Sequence, residues 1–497
     1  MGMLSLLLVT LVVPSAGSVG KEQVPRSPCG LQSGRHPKLF SRSGTTLDST
    51  SVARLVDSLV PLAMQKEMIP GAVVAVVADG RVLFARGYGV ADPETKQPVS
   101  PDCTIFRIGS ISKVFTSTAV VQLADRGTID LRTDANRYLK RRALPASRFA
   151  AVTPWHLLTH SAALDEIRPG TQAETEAGLL PLDRFLRGKL VRLGPPGEVT
   201  SYSTYAITVA GMLVEDVSGL SFEEYLKRNL WMPLDMDHTS ITVPKEHRAL
   251  VATPYDVDDG KLVKAPWEWY HTTPASSINA SAMDMARFMA TMLNGGMLPA
   301  SFGPGAGRRV LSERATRDML SQQLTMHPRL PGFALGWQMS DTNGERIVEH
   351  GGDVAGAASL MTLLPDRGVG IFVVSHREGS ELRYTLRQAL LDRFYPRGTK
   401  TPVVAMHRDS IRARRYAGHY RASVVCHTCA SPRPVAEVDV IANADGTLSF
   451  WEARWVEVSD GFFRSTDGER RVGFRKDNSG AITHLSSGSF RVMERVR

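Results

Sequence analysis

The pattern of apolar and polar residues changes character along this chain of 497 residues. Apolar positions at helical spacing predict a helix over 46–66, and two strand-like runs, 72–78 and 82–88, meet at Asp79-Gly80, a dipeptide typical of hairpin turns. Further helices are predicted over 154–158, 179–190, 222–230, 283–293 and 378–395, and further strands over 332–339, 347–350, 359–364 and 368–374. A hairpin, then helices, then more strands indicate an α+β fold with helices packed on an antiparallel sheet.

The pattern changes again beyond Pro402, where short strands follow one another with turns between them. Strands are predicted over 416–420, 435–441, 448–450, 455–458, 462–463, 471–474 and 481–485. This spacing is typical of a small antiparallel barrel or sandwich. We therefore divide the chain into a signal peptide at 1–18, a linker at 19–45, an α+β domain at 46–396 and a β-rich domain at 403–497.

Composition limits the function classes that are open to the chain. Hydrophobic residues make up 43% and charged residues 22%, as in soluble globular proteins, and the net charge of +9 is mostly scattered. Basic residues do not interleave with aromatic ones in a stripe, so nucleic-acid binding is not predicted. The apolar run before Ala16 is too short to cross a bilayer and is typical of a signal peptide, and no later apolar run is long enough. We therefore expect export, to a periplasm or to the cell exterior, and no transmembrane helix.

The four cysteines, Cys29, Cys103, Cys426 and Cys429, are compatible with disulfides in an exported protein. Cys426 and Cys429 have the spacing of half a metal site or of a redox pair. No second Cys/His pair has a matching spacing, so we predict a local disulfide in a surface loop rather than zinc. No metal and no cofactor are predicted.

The residues Ser110-Ile111-Ser112-Lys113 form a Ser-x-x-Lys unit at the start of a segment that carries no further charge until Asp125. A helix that is apolar on nearly all sides lies inside a protein and takes Lys113 out of water with it. Ser110 and Lys113 share a helix face, and burial favours the neutral amine, which can accept the hydroxyl proton. The unit therefore predicts an activated serine nucleophile. The alternative is a helix-starting serine followed by a lysine that reaches the surface.

A tyrosine is the candidate for a second proton carrier. Tyr202 follows the turn Pro195-Pro196-Gly197 and precedes a helical segment, so its phenol can approach a lysine from the end of the loop. The alternative is a tyrosine that anchors the loop.

The segment His350-Gly351-Gly352-Asp353 ends a predicted strand with two successive glycines. Glycines allow a substrate backbone to approach the strand edge closely. A backbone N–H on this edge, together with the N–H of Ser110, would bind an oxyanion. The alternative is a β-turn with a surface histidine.

Two common hydrolase signatures, Gly-x-Ser-x-Gly and His-Glu-x-x-His, are absent from the sequence. Taken together, the three segments resemble the serine β-lactamase and penicillin-binding-protein superfamily, in particular its class C β-lactamase-related branch. That branch includes D-alanyl-D-alanine carboxypeptidases, D-aminopeptidases, esterases and LACTB-like proteins. The resemblance runs from about Asp48 to Tyr395, and these flanking segments support it in order and spacing: 69–71, 106–110, 157–161, 233–236 and 284–289.

The resemblance implies a helical domain beside an antiparallel sheet, with the site at their junction. It implies that Ser110 is acylated, that Lys113 is its proton partner and that Tyr202 is the second proton shuttle. The tail from Ala413 onward is similar to the β-barrel that many such exported hydrolases carry.

At the strand end, the resemblance implies that His350 stands in place of the family's third-motif lysine. Gly351 and Gly352 would complete that motif, and the backbone of Asp353 would supply the second oxyanion N–H. The second motif also departs from the family pattern, because Thr204 stands where an asparagine is usual. A threonine lacks the amide that binds a substrate acylamide, and a neutral histidine attracts a carboxylate less than a lysine does. Both changes disfavour an efficient β-lactamase.

The leading hypothesis is an exported serine hydrolase of carboxypeptidase or esterase type that cleaves an ester or amide through a Ser110 acyl-enzyme. We expect a small-molecule or peptide substrate, for instance one derived from a cell wall, and a monomer. One alternative is a class C-like β-lactamase or penicillin-sensitive enzyme. The other is a non-catalytic binding or scaffold protein that has kept the fold.

Overall fold

The architecture is that of a computed structural model. It describes residues 39–40, 46–167, 169–398, 402–406, 409–430, 434–489 and 491–496. The predicted signal peptide, Cys29 and all of the predicted linker except 39–40 lie outside the described residues, so export stays a prediction.

One antiparallel sheet of seven strands forms the centre of the α+β domain. The strands are β1 Gly71–Ala78, β2 Arg81–Asp92, β3 Gln97–Pro98, β4 Gln338–Thr342, β5 Glu345–Val354, β6 Ala357–Leu364 and β7 Val369–Ser375. Their order across the sheet is β4-β5-β6-β7-β1-β2-β3. The predicted hairpin at Asp79-Gly80 joins β1 and β2, and both turn residues adopt the positive φ that a tight hairpin turn needs.

Helices cover the sheet and fill the space beside it. They are α1 Ser49–Glu67, α2 Ser112–Asp125, α3 Pro154–Leu158, α4 Leu182–Phe185, α5 Thr204–Ser218, α6 Phe222–Leu226, α7 Thr273–Ser276, α8 Ala282–Leu293, α9 Glu313–Met319, α10 Leu382–Phe394 and α11 Ser410–Arg414. Every residue of α2 from Ser112 to Leu123 is buried, as its uncharged sequence predicts, and α2 packs against α5, α7 and α9. Among the described helices none alone is long and apolar enough to cross a membrane; only the bent pair 204–218 and 222–234 meets that length and composition together.

Both faces of the sheet are covered, which explains why its central strands are apolar without alternation. On one face, Val74 of β1 packs in a cluster with Val56 of α1 and Leu386 of α10. On the other face, Val73 lies in the large core that includes Phe115 of α2. The α2 helix lies in this core, where Phe115 packs against Phe288 of α8, and α8 in turn packs on β1 and β7.

Two of the predicted elements that are shorter than expected have a clear cause in the backbone. The helix predicted over 179–190 is only α4, Leu182–Phe185, because Pro181 precedes it and Gly188 adopts a left-handed φ of 70°. The strand predicted over 332–339 begins only at Gln338, since Gly336 has a φ of 77°, outside the extended region.

The C-terminal part of the described chain is a closed antiparallel barrel rather than a sandwich. Its strands are β8 Gly418–Ala422, β9 Glu437–Ala442, β10 Leu448–Phe450, β11 Ala453–Ser459, β12 Phe462–Ser465, β13 Arg471–Lys476, β14 Ile482–Ser486 and β15 Val492–Arg495. The strand β15 was not in the predicted set, because only its first two residues are apolar. It pairs with both β14 and β8 and so closes the barrel.

The turn that carries Ser110 lies directly against β5. A β-carbon at Gly352 would lie 2.0 Å from the carbonyl oxygen of Ile108, so only glycine fits there. Gly109, which has a φ of 53°, faces the same strand, and a β-carbon on it would lie 3.0 Å from the backbone nitrogen of Asp353. The glycine that the sequence associates with substrate approach therefore also seats the nucleophile turn on the sheet.

We expect Gly352→Ala to lower the free energy of unfolding by about 1–3 kcal/mol, because the added methyl group overlaps a backbone carbonyl. Gly351→Ala is the matched control, since a β-carbon there would meet the Tyr384 hydroxyl at 3.1 Å, the tip of a side chain that can move. Urea denaturation of both variants measures the difference. Equal losses would contradict the packing role of Gly352.

Candidate active site

Ser110 and Lys113 lie at the start of α2, where the sequence predicts them together. Ser110 is partly exposed in a single 3-10 turn, Gly109–Ile111, and Lys113 is only 1% exposed. The Lys113 Nζ lies 3.1 Å from Ser110 Oγ and donates to the carbonyl oxygen of Ala275 in α7 at 3.0 Å. A buried lysine thus has the serine hydroxyl within hydrogen-bond reach, the geometry that general-base activation requires.

Tyr202 is the third member of this cluster and lies on the loop before α5. Its ring centroid is 4.8 Å from the Lys113 Nζ, 4.6 Å from the ring centroid of His160 and 5.9 Å from that of His350. Three segments that are far apart in sequence therefore meet around one lysine. The structure brings together all four residues predicted as catalytic.

His160 was not predicted as a site residue, although the segment 157–161 supported the family resemblance. It is 1% exposed, and it fixes the turn on both sides of Tyr202. The Ser201 N–H donates to the His160 carbonyl at 2.8 Å, and the Ser203 N–H donates to His160 Nδ1 at 3.1 Å. Burial, followed by the nearby charge of Lys113, holds the pKa of His160 well below its ordinary value. A buried neutral imidazole therefore supports the tyrosine ring.

His350 is also buried, with 1% exposure, and is not the surface histidine of the alternative interpretation. Its Nδ1 lies 2.7 Å from the Gly351 carbonyl oxygen, which can only accept, so Nδ1 carries the proton. Burial, followed by the charge of Lys113, lowers the pKa of His350 to about 3. His350 is therefore uncharged at neutral pH.

Glu166 holds the start of α5 and was not identified from the sequence. The backbone N–H of Thr204 lies 3.0 Å from Glu166 Oε1 and 2.9 Å from Oε2, and the glutamate is 5% exposed. A carboxylate at the first turn of a helix is favoured by the helix dipole. This bond positions Thr204, and with it the end of the Tyr202 loop, at the rim of the site.

Asp353 occupies the end of β5 beside the nucleophile turn. The pairing of β5 with β4 ends at Glu349, so residues 350–354 have a strand partner on one edge only among the described strands. The Asp353 carboxylate forms a bidentate ion pair with Arg383 of α10, at 2.7 and 2.8 Å. The carboxylate is thus occupied, and the predicted role of Asp353 in binding an oxyanion concerns its backbone N–H, which lies next to Gly109.

Asp165 joins the α+β domain to the loop that precedes β9. Its carboxylate is fully buried and accepts from the backbone N–H groups of His427, at 2.9 Å, and Thr428, at 3.0 Å. The same loop contains the predicted disulfide, which is present between Cys426 and Cys429. Successive backbone N–H groups in a closed loop form a favourable site for an anion. The disulfide loop is therefore not simply a surface feature, since it contacts the residue next to Glu166.

A cleft of about 520 Å³ opens in front of Ser110. Its walls include Thr204, Tyr270, Ser276 and Val354. A larger cavity, of about 790 Å³, lies elsewhere and does not include the nucleophile among its lining residues. Within the described ranges no group of three His, Cys, Asp or Glu side chains is placed to hold a metal ion.

This combination of fold and site defines a protein of the serine β-lactamase and penicillin-binding-protein superfamily. The chain belongs to the beta-lactamase family, whose model matches residues 56–393. It is 29% identical over 262 residues to a beta-lactamase of Yersinia enterocolitica, with 53% of this chain and 65% of the relative covered. It is 25% identical over 325 residues to protein flp of Staphylococcus aureus strain N315, with 65% of this chain and 62% of flp covered. The matched segment thus spans just under two thirds of each of these curated relatives.

Solved structures show the same fold. The octameric penicillin-binding protein homologue from Pyrococcus abyssi superposes with a TM-score of 0.58 at 20% identity, with 89% of this chain and 100% of that chain covered. SurE superposes with a TM-score of 0.63 at 22% identity, with 90% and 99% covered. Both matches cover more of this chain than the family model does, so they extend into the C-terminal barrel.

Because His350 is buried in its neutral form, acid should destabilise the folded protein at this site. In the unfolded chain its pKa is the ordinary 6.5, whereas in the folded chain it is about 3, so stability falls as the pH drops from about 6.5 towards 3. Between pH 7 and pH 5 we expect the wild type to lose about 2 kcal/mol more unfolding free energy than His350→Gln. Urea denaturation at both pH values measures this, and equal losses would show that the folded state protonates His350 as easily as the unfolded chain.

Removing the Asp165 carboxylate should loosen the disulfide loop. In Asp165→Ala the N–H groups of His427 and Thr428 lose their acceptor, so we expect their hydrogen exchange to accelerate at least tenfold and the Tm to fall. Asp477→Ala is the control, because Asp477 caps a turn at the surface of the barrel. Unchanged exchange at His427 and Thr428 in Asp165→Ala would contradict the interaction.

Proposed function

We propose that this protein is a serine hydrolase of carboxypeptidase or esterase type, which cleaves an ester or amide bond through an acyl-enzyme on Ser110. The observation that carries the proposal is the 3.1 Å separation between Ser110 Oγ and the Nζ of Lys113, a lysine only 1% exposed. A helix-starting serine with a surface-reaching lysine does not fit this burial. The substrate is a small molecule or a peptide that enters the cleft in front of Ser110.

In the proposed reaction, the single proton of Ser110 moves to the neutral amine of Lys113 as the serine oxygen attacks the carbonyl carbon, and Tyr202 relays it from Lys113 towards the leaving group. The carbonyl oxygen becomes an oxyanion, bound by the backbone N–H groups of Ser110 and Asp353. The tetrahedral intermediate collapses, the bond to the leaving group breaks, and Tyr202 returns the proton to that group. Water then attacks the acyl-enzyme with the same groups acting in reverse, which releases the acid and restores Ser110.

Three features support hydrolysis over a purely structural role for the site. Lys113, Tyr202 and His350 form one cluster, although they come from three distant segments. The imidazole of His160 and the carboxylate of Glu166 hold the tyrosine loop on both sides. Functional sites concentrate such buried titratable groups with strongly shifted pKa values.

A β-lactamase is the second candidate, and the similarity to the Yersinia enterocolitica beta-lactamase favours it. Two features of the site weigh against efficient turnover of β-lactams. Thr204 offers a hydroxyl in place of an amide, and His350 is buried and uncharged where a cation would attract the substrate carboxylate.

The test is active-site labelling with a fluorophosphonate and with a fluorescent penicillin, followed by mass mapping, together with assays on a p-nitrophenyl ester, nitrocefin and a D-Ala-D-Ala peptide. We expect fluorophosphonate to label Ser110, and Ser110→Ala to lower kcat/KM on the ester by roughly a thousandfold or more. Ser58→Ala, at an exposed serine of α1, is the control and should retain activity.

Each substrate gives a distinct outcome. Turnover of nitrocefin above that of the ester would favour the β-lactamase. If Ser110 is never labelled and Ser110→Ala keeps full ester hydrolysis, the mechanism is wrong. Ligand binding that is unchanged in Ser110→Ala, with no turnover by the wild type, would identify a binding protein that has kept the fold.

A further inference from the structure

The wall of the catalytic cleft is strongly acidic. The cleft is defined by the nucleophile, and among its described lining residues none is lysine, arginine or histidine. Four of these residues are carboxylates: Glu166, Glu268, Asp353 and Glu378. A cleft lined by one sign of charge concentrates ligands of the opposite sign.

Basic side chains behind the cleft wall compensate only part of its negative charge. Arg383 neutralises Asp353 through a bidentate ion pair. Arg107 is buried behind the wall, where it donates to the backbone carbonyls of Ala355 and Glu268 and stacks on Trp267. A third cation, Lys189, donates from Nζ to the carbonyl oxygen of the lining residue Pro169 at 3.2 Å. Three cations therefore stand behind four carboxylates, and none of them is itself a lining residue.

Glu268 and Glu378 share one buried cation, since burial lowers the pKa of Arg107 and the charges of both carboxylates act to raise it. The Glu268 carboxylate accepts from neutral donors only, the Tyr270 hydroxyl, the Gln172 amide and the Ala355 N–H. Partial burial, and then the charges of Asp256, Glu268 and Asp353, raise the pKa of Glu378. A cationic ligand group placed between Glu268 and Glu378 would remove this repulsion.

A second, independent observation concerns the groups near Ser110 that could bind an anionic substrate. The side chain at the strand end beside Ser110 is His350, which is 1% exposed and has its Nδ1 proton on the Gly351 carbonyl. The cation at this strand end is Arg383, which is 5% exposed and already paired with Asp353, so it does not face a substrate carboxylate in the cleft. Lys113, the remaining basic group at the nucleophile, is 1% exposed and donates to Ser110 and Ala275.

We propose that the substrate carries a cationic group, an ammonium or guanidinium, which binds against Glu268 and Glu378 while its carbonyl carbon lies at Ser110. Glu378 is then a specificity-determining residue. This inference rests on the proposed hydrolase function. It names a substrate class different from the carboxylate-bearing β-lactams.

Two ester series with a permanent charge test the inference on both sides of the scissile bond. The acyl series consists of the p-nitrophenyl esters of 4-(trimethylammonio)butyrate, of its neutral isostere 5,5-dimethylhexanoate and of glutarate. The leaving-group series compares butyrylthiocholine with its neutral isostere, the 3,3-dimethylbutyl thioester. In at least one series we expect kcat/KM for the cationic ester to exceed that of the neutral isostere by about tenfold, which corresponds to about 1.4 kcal/mol. The glutarate ester should be the poorest substrate of the acyl series.

Glu378→Gln keeps the shape of the side chain and removes its charge, so the ratio of kcat/KM for the cationic ester to kcat/KM for its neutral isostere should fall at least threefold. Glu246→Gln, an exposed glutamate outside the cleft lining, should keep the full preference. The preference should also weaken as ionic strength rises. Equal kcat/KM for cationic and neutral esters in both series, or a preference that Glu378→Gln leaves intact, would overturn the inference.

Binding and labelling separate this inference from the proposed function. The Kd values of the cationic and neutral esters for Ser110→Ala measure the charge preference without turnover. If the wild type neither hydrolyses the esters nor is labelled at Ser110, but Ser110→Ala binds the cationic ester more tightly, the hydrolase proposal fails and the charge preference of the cleft stands. Labelling of Ser110 without any charge preference in binding or turnover keeps the hydrolase and overturns the cationic substrate.

Discussion

The burial of one lysine is the constraint on which the rest of the site depends. An amine that is only 1% exposed needs polar partners in place of water, and Lys113 has them in the Ser110 hydroxyl and the Ala275 carbonyl. The first partner requires the nucleophile turn to sit directly ahead of α2, and the second requires α7 to end against it. Three features then exclude water from this group: the uncharged helix α2, the glycine contact with β5 and the loop that carries Tyr202.

The buried lysine also affects the pKa values of the histidines around it. The two imidazoles nearest to Tyr202, those of His160 and His350, are both buried, and the charge of Lys113 is the second cause that lowers the pKa of each. The interior side of the site is thus a region in which added positive charge is disfavoured. The cleft on the outer side is lined by four carboxylates that are only partly compensated, so the two sides of one serine hydroxyl differ in their preference for positive charge.

Features encoded in short stretches of sequence were predictable. The hairpin at Asp79-Gly80, the buried helix after Ser110 and the Cys426–Cys429 disulfide each depend on a few neighbouring residues. Glu166 could not be found in this way, because its partner is the backbone N–H of a residue 38 positions away. No side-chain pattern in the sequence marks such a bond. The barrel was predictable as a class, but the strand that closes it was not, since two apolar residues are too few to indicate a strand.

The contact between Asp165 and the disulfide loop has a consequence for how the protein matures. Ser423 contacts the loop that carries Tyr202, and His427 and Thr428 contact Asp165. All three of these residues are synthesised after the whole α+β domain. A nascent chain therefore contains the nucleophile and its lysine long before these last hydrogen bonds can form. The contact with Asp165 can form only once the segment 423–428 has been synthesised, and the disulfide between Cys426 and Cys429 closes the loop that makes this contact.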